Sequence, residues 1–159
     1  MKKQLLLFAF SALAFTSCKD DNLEAYETGI LQGDWKEVKT EIISGKDNKT
    51  VLQKTTPEGC TAKNTLFFRT DYYVSYTAYD GSADGSDCHF AAKNEGKYTY
   101  DAGSKIIDIQ LKGEEDEPDH MIFRVDMLTQ TELRLAQTVG NYDKDGDKII
   151  DVTYITYKR

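Results

Sequence analysis

Two stretches of this chain alternate apolar and polar side chains with a period of two, and a backbone with that period is a strand with one buried face. In KIIDIQLK, Ile107, Ile109 and Leu111 share one face while Asp108 and Gln110 take the other. In HMIFRVDML, Met121, Phe123, Val125 and Met127 point one way, opposed by Ile122, Arg124 and Asp126. Thr129 and Gln130 separate that run from TELRLAQ, where Leu133 and Leu135 continue the apolar face. The spacing reads as a tight hairpin. From Gly33 onward the same texture recurs, with short runs of β-branched and aromatic residues divided by Gly, Asp and Asn clusters. Strands are expected near 33–44, 61–69, 72–79, 96–101, 105–112, 120–128, 131–139 and 148–157, eight in all, in consecutive hairpins.

Consecutive hairpins place successive loops at alternate ends of a sheet. Loops 70–71, 102–104 and 129–130 are short, whereas 45–60, 80–95, 113–119 and 140–147 are long, acidic or Gly-rich, and parity gathers the long ones at one end. TVLQKT, residues 50–55, offers a ninth strand hairpinned across GKDN, and either count keeps the long loops together. Closing eight strands removes the sheet edges and gives an interior filled by side chains or roomy enough for one small ligand. The expected fold is therefore all-β, an eight-stranded antiparallel up-and-down β-barrel.

Lys2 and Lys3 precede an uncharged run from Gln4 to Ser17, with small residues Thr16 and Ser17 before Cys18. That is the layout of an export signal, and the run is shorter than the ~20 apolar residues a spanning helix needs. The segment FTSC, Phe15 to Cys18, resembles the lipobox of bacterial lipoproteins, with Phe15 where that family usually carries Leu. The resemblance implies that residues 1–17 are removed and that Cys18 becomes a lipidated first residue. Such an anchor carries more than one acyl chain, since a single chain binds a membrane only marginally. Lys19, Asp20 and Asp21 look like the acidic export signal of Bacteroidetes-type lipoproteins, which implies the outer membrane or cell surface. Residues 18–32 then read as a tether holding at most one short helix, capped by Asn22 before LEAY, and 33–159 as the single domain.

Loss of Lys2 and Lys3 takes the net charge from −7 to −9. So acidic a surface repels phosphate backbones, and no nucleic-acid partner is expected. With Cys18 taken by lipid, Cys60 and Cys88 remain, an even count in an exported chain, placed in two of the long loops at one rim. They are expected to form one disulfide.

The first expected strand opens with Gly33-Asp34-Trp35, which holds the only Trp of the chain. With the cysteine before TLFF, the DYYVSY strand, GKYTYD, KIIDIQL and LTQTELRL, it resembles the lipocalin-like lipoprotein domains common in Bacteroidetes, over nearly all of residues 31–159. That resemblance implies a barrel whose narrow closed end is plugged by Trp35, opposite the long loops. It also implies a basic cover on the Trp from late in the last strand, with Lys158 and Arg159 the matching positions. Trp35 and Val38 are out of phase for a regular strand, so either a bulge intervenes or Val38 faces outward.

The chain offers little for catalysis, and no enzyme is expected. His89 and His120 lie outside any metal or hydrolase motif, and the loop-borne acids of EEDEPD read as solvated. NYDKDGDKIID places Asp143, Asp145, Asp147 and Asp151 as in the first nine positions of an EF-hand calcium loop, apart from Lys148 where that loop has Gly. The twelfth position is Tyr154 instead of a bidentate Glu, so an Asp-Gly turn is the preferred reading and calcium the other. No other cofactor is expected. Tyr72, Tyr76, Ile109, Met121 and Phe123 are the candidate walls of a pocket for a small apolar or glycan-like ligand; packed solid, the same barrel would be a surface structural or protein-interaction module. Oligomeric state is not legible.

Overall fold

The computed structural model describes residues 21–112, 119–137 and 142–159. A helix α1 (Asp21–Leu31) precedes β1 (Gly33–Ile43), β2 (Val51–Thr55), a 3₁₀ turn (Gly59–Lys63), β3 (Thr65–Phe68), β4 (Tyr73–Asp80), β5 (His89–Asp101), β6 (Ile106–Leu111), β7 (Asp119–Leu128), β8 (Glu132–Gln137) and β9 (Val152–Lys158). Every pairing is antiparallel, and the sheet closes because β1 pairs with β9 along one edge and with β3 along the other. Among the described residues, eight strands make the ring. The ninth, β2, is the open alternative at 50–55: it pairs with β1 from Thr40↔Thr55 to Ile43↔Val51, above the stretch Gly33 to Trp35 that β3 occupies. Asp47 sets the turn into β2 by accepting the Lys49 and Thr50 amides, both at 2.8 Å. The Thr50 hydroxyl, followed by these two amides, holds the Asp47 pKa down at about 2.

The alternating residues stack across the ladders. Tyr100, Ile107 and Phe123 form one rung and Tyr98, Ile109 and Met121 the next. With Trp35, Phe68, Val74, Leu133 and Leu135 they fill the lower barrel, and Phe68 meets Tyr98 edge-on at 5.0 Å. A bulge at Val38, where Glu37 pairs with Tyr157 and Lys39 with Thr156, resolves the phase conflict in β1. A second bulge, between Val125 and Met127, has an unanticipated effect: Met127 leaves the Met121–Phe123–Val125 face and is exposed.

Three boundaries differ from the sequence reading. Residues 59–63 are a 3₁₀ turn, so β3 starts at Thr65 and not near 61; β9 starts at Val152 and not near 148. β5 begins at His89 and not near 96, because β4 extends it as a two-stranded ribbon with Tyr79↔Phe90 and Asp80↔His89. That ribbon is exposed, so its sequence carries no buried alternation. The Cys60–Cys88 disulfide ties the loop at the ribbon's far end, just before His89, to the 3₁₀ turn.

Much of the segment read as a tether is helix α1. It starts at Asp21, one residue before the expected cap, and closes the barrel end below Trp35. The stripe it turns to the barrel is Glu24, Glu27, Thr28 and Leu31, half of it acidic. Glu27 accepts from Lys105 Nζ at 2.6 and 2.7 Å and from the Tyr100 hydroxyl at 2.5 Å. Leu31 is buried, and its carbonyl accepts the Trp35 indole N–H at 2.7 Å.

Candidate functional site

The two barrel ends are built differently. At the closed end the Arg159 guanidinium lies 4.2 Å from the centroid of the Trp35 ring and donates to the carbonyls of Ile30, Gln32 and Gln130. Two of these are carbonyls at the C-terminal end of α1 that lack helical partners, so one side chain caps the helix and covers the Trp. Lys158 does not share this role; it is exposed and reaches Glu132 at 3.7 Å. Gly33 fits the crowding here: its φ is +118, and a Cβ would stand 3.0 Å from Arg159 Nη1.

Above Trp35, between the β1 residues that pair with β3 and those that pair with β2, the wall is incomplete. β2 leaves the edge of β1 at Thr55 and β3 takes over lower down, and the 3₁₀ turn, not a strand, covers the adjoining part of β4. A cavity of about 240 Å³ lies in this seam. Its walls include Glu37, Leu66, Tyr76 and Tyr157 on strands and Thr56 and Asn64 from the β2–β3 connection. Asn64 holds the seam together: its amide donates to the Tyr76 hydroxyl at 2.9 Å while its carbonyl oxygen accepts the Tyr79 amide at 2.8 Å. Glu37 accepts the Thr40 hydroxyl at 2.8 Å. Tyr157 is buried, and burial, then the Glu37 carboxylate and Tyr76, push its pKa up.

Of the pocket walls expected from sequence, Tyr76 alone lines this cavity. Ile109 and Phe123 are packed in the core and Met121 lies against it. Tyr72 is not in the interior: it sits in the β3–β4 turn at the closed end with φ 64, its ring 5.6 Å from Tyr98 and its hydroxyl on Glu24. Glu37, Asn64 and Tyr157 were not among the sequence candidates. Glu37 was within reach of the argument, since two residues after Trp35 in a strand shares its face. Two depressions of about 370 and 490 Å³ flank α1. Both are lined by Glu24 and Tyr72, and the larger includes outward-facing Lys97, Thr99 and Gln110, which puts it on the barrel's flank.

In the 142–151 loop, Asp143, Asp145 and Asp151 bring carboxylate oxygens within 4.8 Å of one another, and Asp147 stands outside that group. Each is engaged: Asp143 by the Gly146 and Lys148 amides, Asp145 by the Asp147 amide and Ser44 hydroxyl, Asp147 by the Ile149 amide, and Asp151 by the Gly45 and Lys144 amides. Lys148 adopts φ 70, the conformation Gly would supply. Tyr154 lies on β9 beneath Arg134, 4.2 Å from its guanidinium, so the residues present would supply only part of a calcium sphere. His120 pairs with Asp108 at 3.1 Å on the exposed outer face. Cys18 and residues 113–118 lie outside the described residues.

A closed antiparallel barrel plugged at one end by a buried Trp, with a side-chain-lined cavity above that plug, defines the lipocalin type of small-ligand barrel. A family model, the lipocalin-like domain, matches residues 31–135. The chain belongs to that family. Comparison with curated proteins gave no match.

Proposed function

We propose that this chain is a lipid-anchored protein of the bacterial cell envelope, held at the outer membrane or cell surface, whose barrel binds a small ligand in the cavity between Glu37, Tyr76 and Tyr157. The asymmetry of the barrel carries the ligand half of the reading. One end is sealed by Trp35, Arg159 and α1; above that seal, inward-facing strand residues surround a cavity. Aromatic walls with a few fixed polar groups are what a small-molecule site uses for contact and orientation. We propose binding as the role of this cavity, whose wall carries one carboxylate, Glu37.

The anchor half rests on the FTSC segment. Replacing Cys18 with Ser is expected to move the protein from the membrane to the soluble fraction, with the signal segment's removal site changed. Retention of the Cys18→Ser protein on membranes would overturn the anchor without touching the ligand reading. A packed module with no ligand is the second reading, favoured by the fully buried lower interior of Trp35, Phe68, Val74, Ile107 and Leu133. Saturable uptake of an apolar probe separates the two.

A further inference from the structure

We propose that the seam cavity selects a small organic cation, such as a methylated or alkyl ammonium group, held by the Glu37 carboxylate and the rings of Tyr76 and Tyr157. The inference rests on the ligand-binding reading above and adds the chemical class. Among the described residues, Glu37 is the one charged group in the cavity wall, and it forms no ion pair there. Of the basic residues around it, Lys39 pairs with Glu41 at 2.8 Å and Lys158 with Glu132, Lys36 follows Trp35 on the opposite face of β1, and Lys54 and Lys63, next to Thr55 and Asn64, are not among the residues lining the cavity. A carboxylate drawn partly out of water beside two phenol rings thus has no cation partner among the described residues. An anionic ligand would meet its repulsion, and a neutral one would leave it uncompensated.

The aromatic walls supply the other half of the recognition. Ring faces attract cations through their quadrupole, and sites for quaternary ammonium groups combine such faces with a nearby carboxylate. Tyr76 is fixed for this purpose by Asn64, whose amide occupies its hydroxyl oxygen, and Asn64 is itself fixed by the Tyr79 amide. Tyr157 is opposite Glu37 in the β1–β9 ladder, so the carboxylate and that ring share one rung. Thr40 donates to Oε1 of Glu37, and Glu37 lines the cavity.

The test compares three probes of one shape on the mature protein, by saturable changes in NMR chemical shift: choline, its neutral isostere 3,3-dimethylbutan-1-ol, and the anion 3,3-dimethylbutanoate. Choline is expected to bind at least tenfold more tightly than either. Glu37→Gln is expected to bring choline to the isostere's affinity with an unchanged melting temperature, and Tyr76→Leu to weaken choline several-fold. Equal or tighter binding of the isostere or the anion to the native chain would overturn the cation proposal, as would undiminished choline binding by Glu37→Gln. The native-chain comparison holds even if a variant fails to fold. Failure of all three probes together with failure of a larger apolar probe would overturn the ligand-binding reading itself; failure of the three alone overturns only the cation.

Discussion

Arg159, at the end of β9, stacks its guanidinium 4.2 Å from the ring centroid of Trp35 in β1 and with the same group binds the carbonyls of Ile30 and Gln32. Three separate parts of the chain, the helix, the first strand and the last, are thus joined through one side chain. Its neighbour Lys158, equally basic, contributes to none of this.

Arg159→Ala is expected to destabilise the fold by about 1–3 kcal/mol, from the lost cation–π contact and charge-assisted hydrogen bonds. Lys158→Ala should stay within about 0.5 kcal/mol, as exposed ion pairs do. Denaturant titration of the two variants checks the contrast, and equal losses would contradict the assignment of the closed end.

The sequence carried the ring and its closed end well, because both rest on signals local to the chain. Period-two alternation marks β6, β7 and β8, and the Gly-x-Trp segment marks β1. What it did not carry depends on partners distant in sequence. The α1 stripe of Glu24, Glu27, Thr28 and Leu31 has no apolar periodicity, since it docks through Lys105 and Tyr100 and not through a greasy face. The first half of β5 is exposed on both faces and becomes a strand only because β4 pairs with it. Met127 changes face because one extra residue enters β7, which alternation alone does not show. Tyr72 is not a wall residue for a related reason: DYYVSY reads as a strand from its start, and the left-handed backbone of Tyr72 puts it in the turn at the closed end.

Stability should fall as the solution becomes strongly alkaline. Burial raises the Tyr98 pKa from 10.0 to about 12, and Tyr100 and Tyr157 are raised as well. A raised folded pKa means that the stabilisation is complete below the unfolded value and is lost as pH climbs through the folded one. Above about pH 10 each such tyrosine should cost about 1.4 kcal/mol per pH unit until it ionises in the native state. Tyr98→Phe should flatten that slope by one tyrosine's share, and an unchanged slope would contradict the burial of its hydroxyl.

The Cys60–Cys88 bond closes a loop of sequence separation 28. Removing it by a Cys60→Ala, Cys88→Ala pair is expected to cost roughly 3–4 kcal/mol on the chain-entropy account. The seam should loosen first, because the 3₁₀ turn is the element that the bond holds against the β4–β5 ribbon. Hydrogen exchange that accelerates at Asn64 and Tyr79 more than at Ile107 and Leu135 would show this, and a uniform acceleration would contradict it.

The central claim is that this barrel is sealed at Trp35 and takes a small ligand at the Glu37–Tyr76–Tyr157 cavity. Its most direct test is a backbone NMR titration of the mature protein with N-phenyl-1-naphthylamine, an uncharged apolar probe that the Glu37 carboxylate does not repel. The account predicts saturable shifts centred on Glu37, Asn64, Leu66, Tyr76 and Tyr157, with the amides of Leu31, Trp35 and Arg159 unmoved. Shifts that never saturate, or that centre on α1 and Tyr72 at the sealed end, would contradict it.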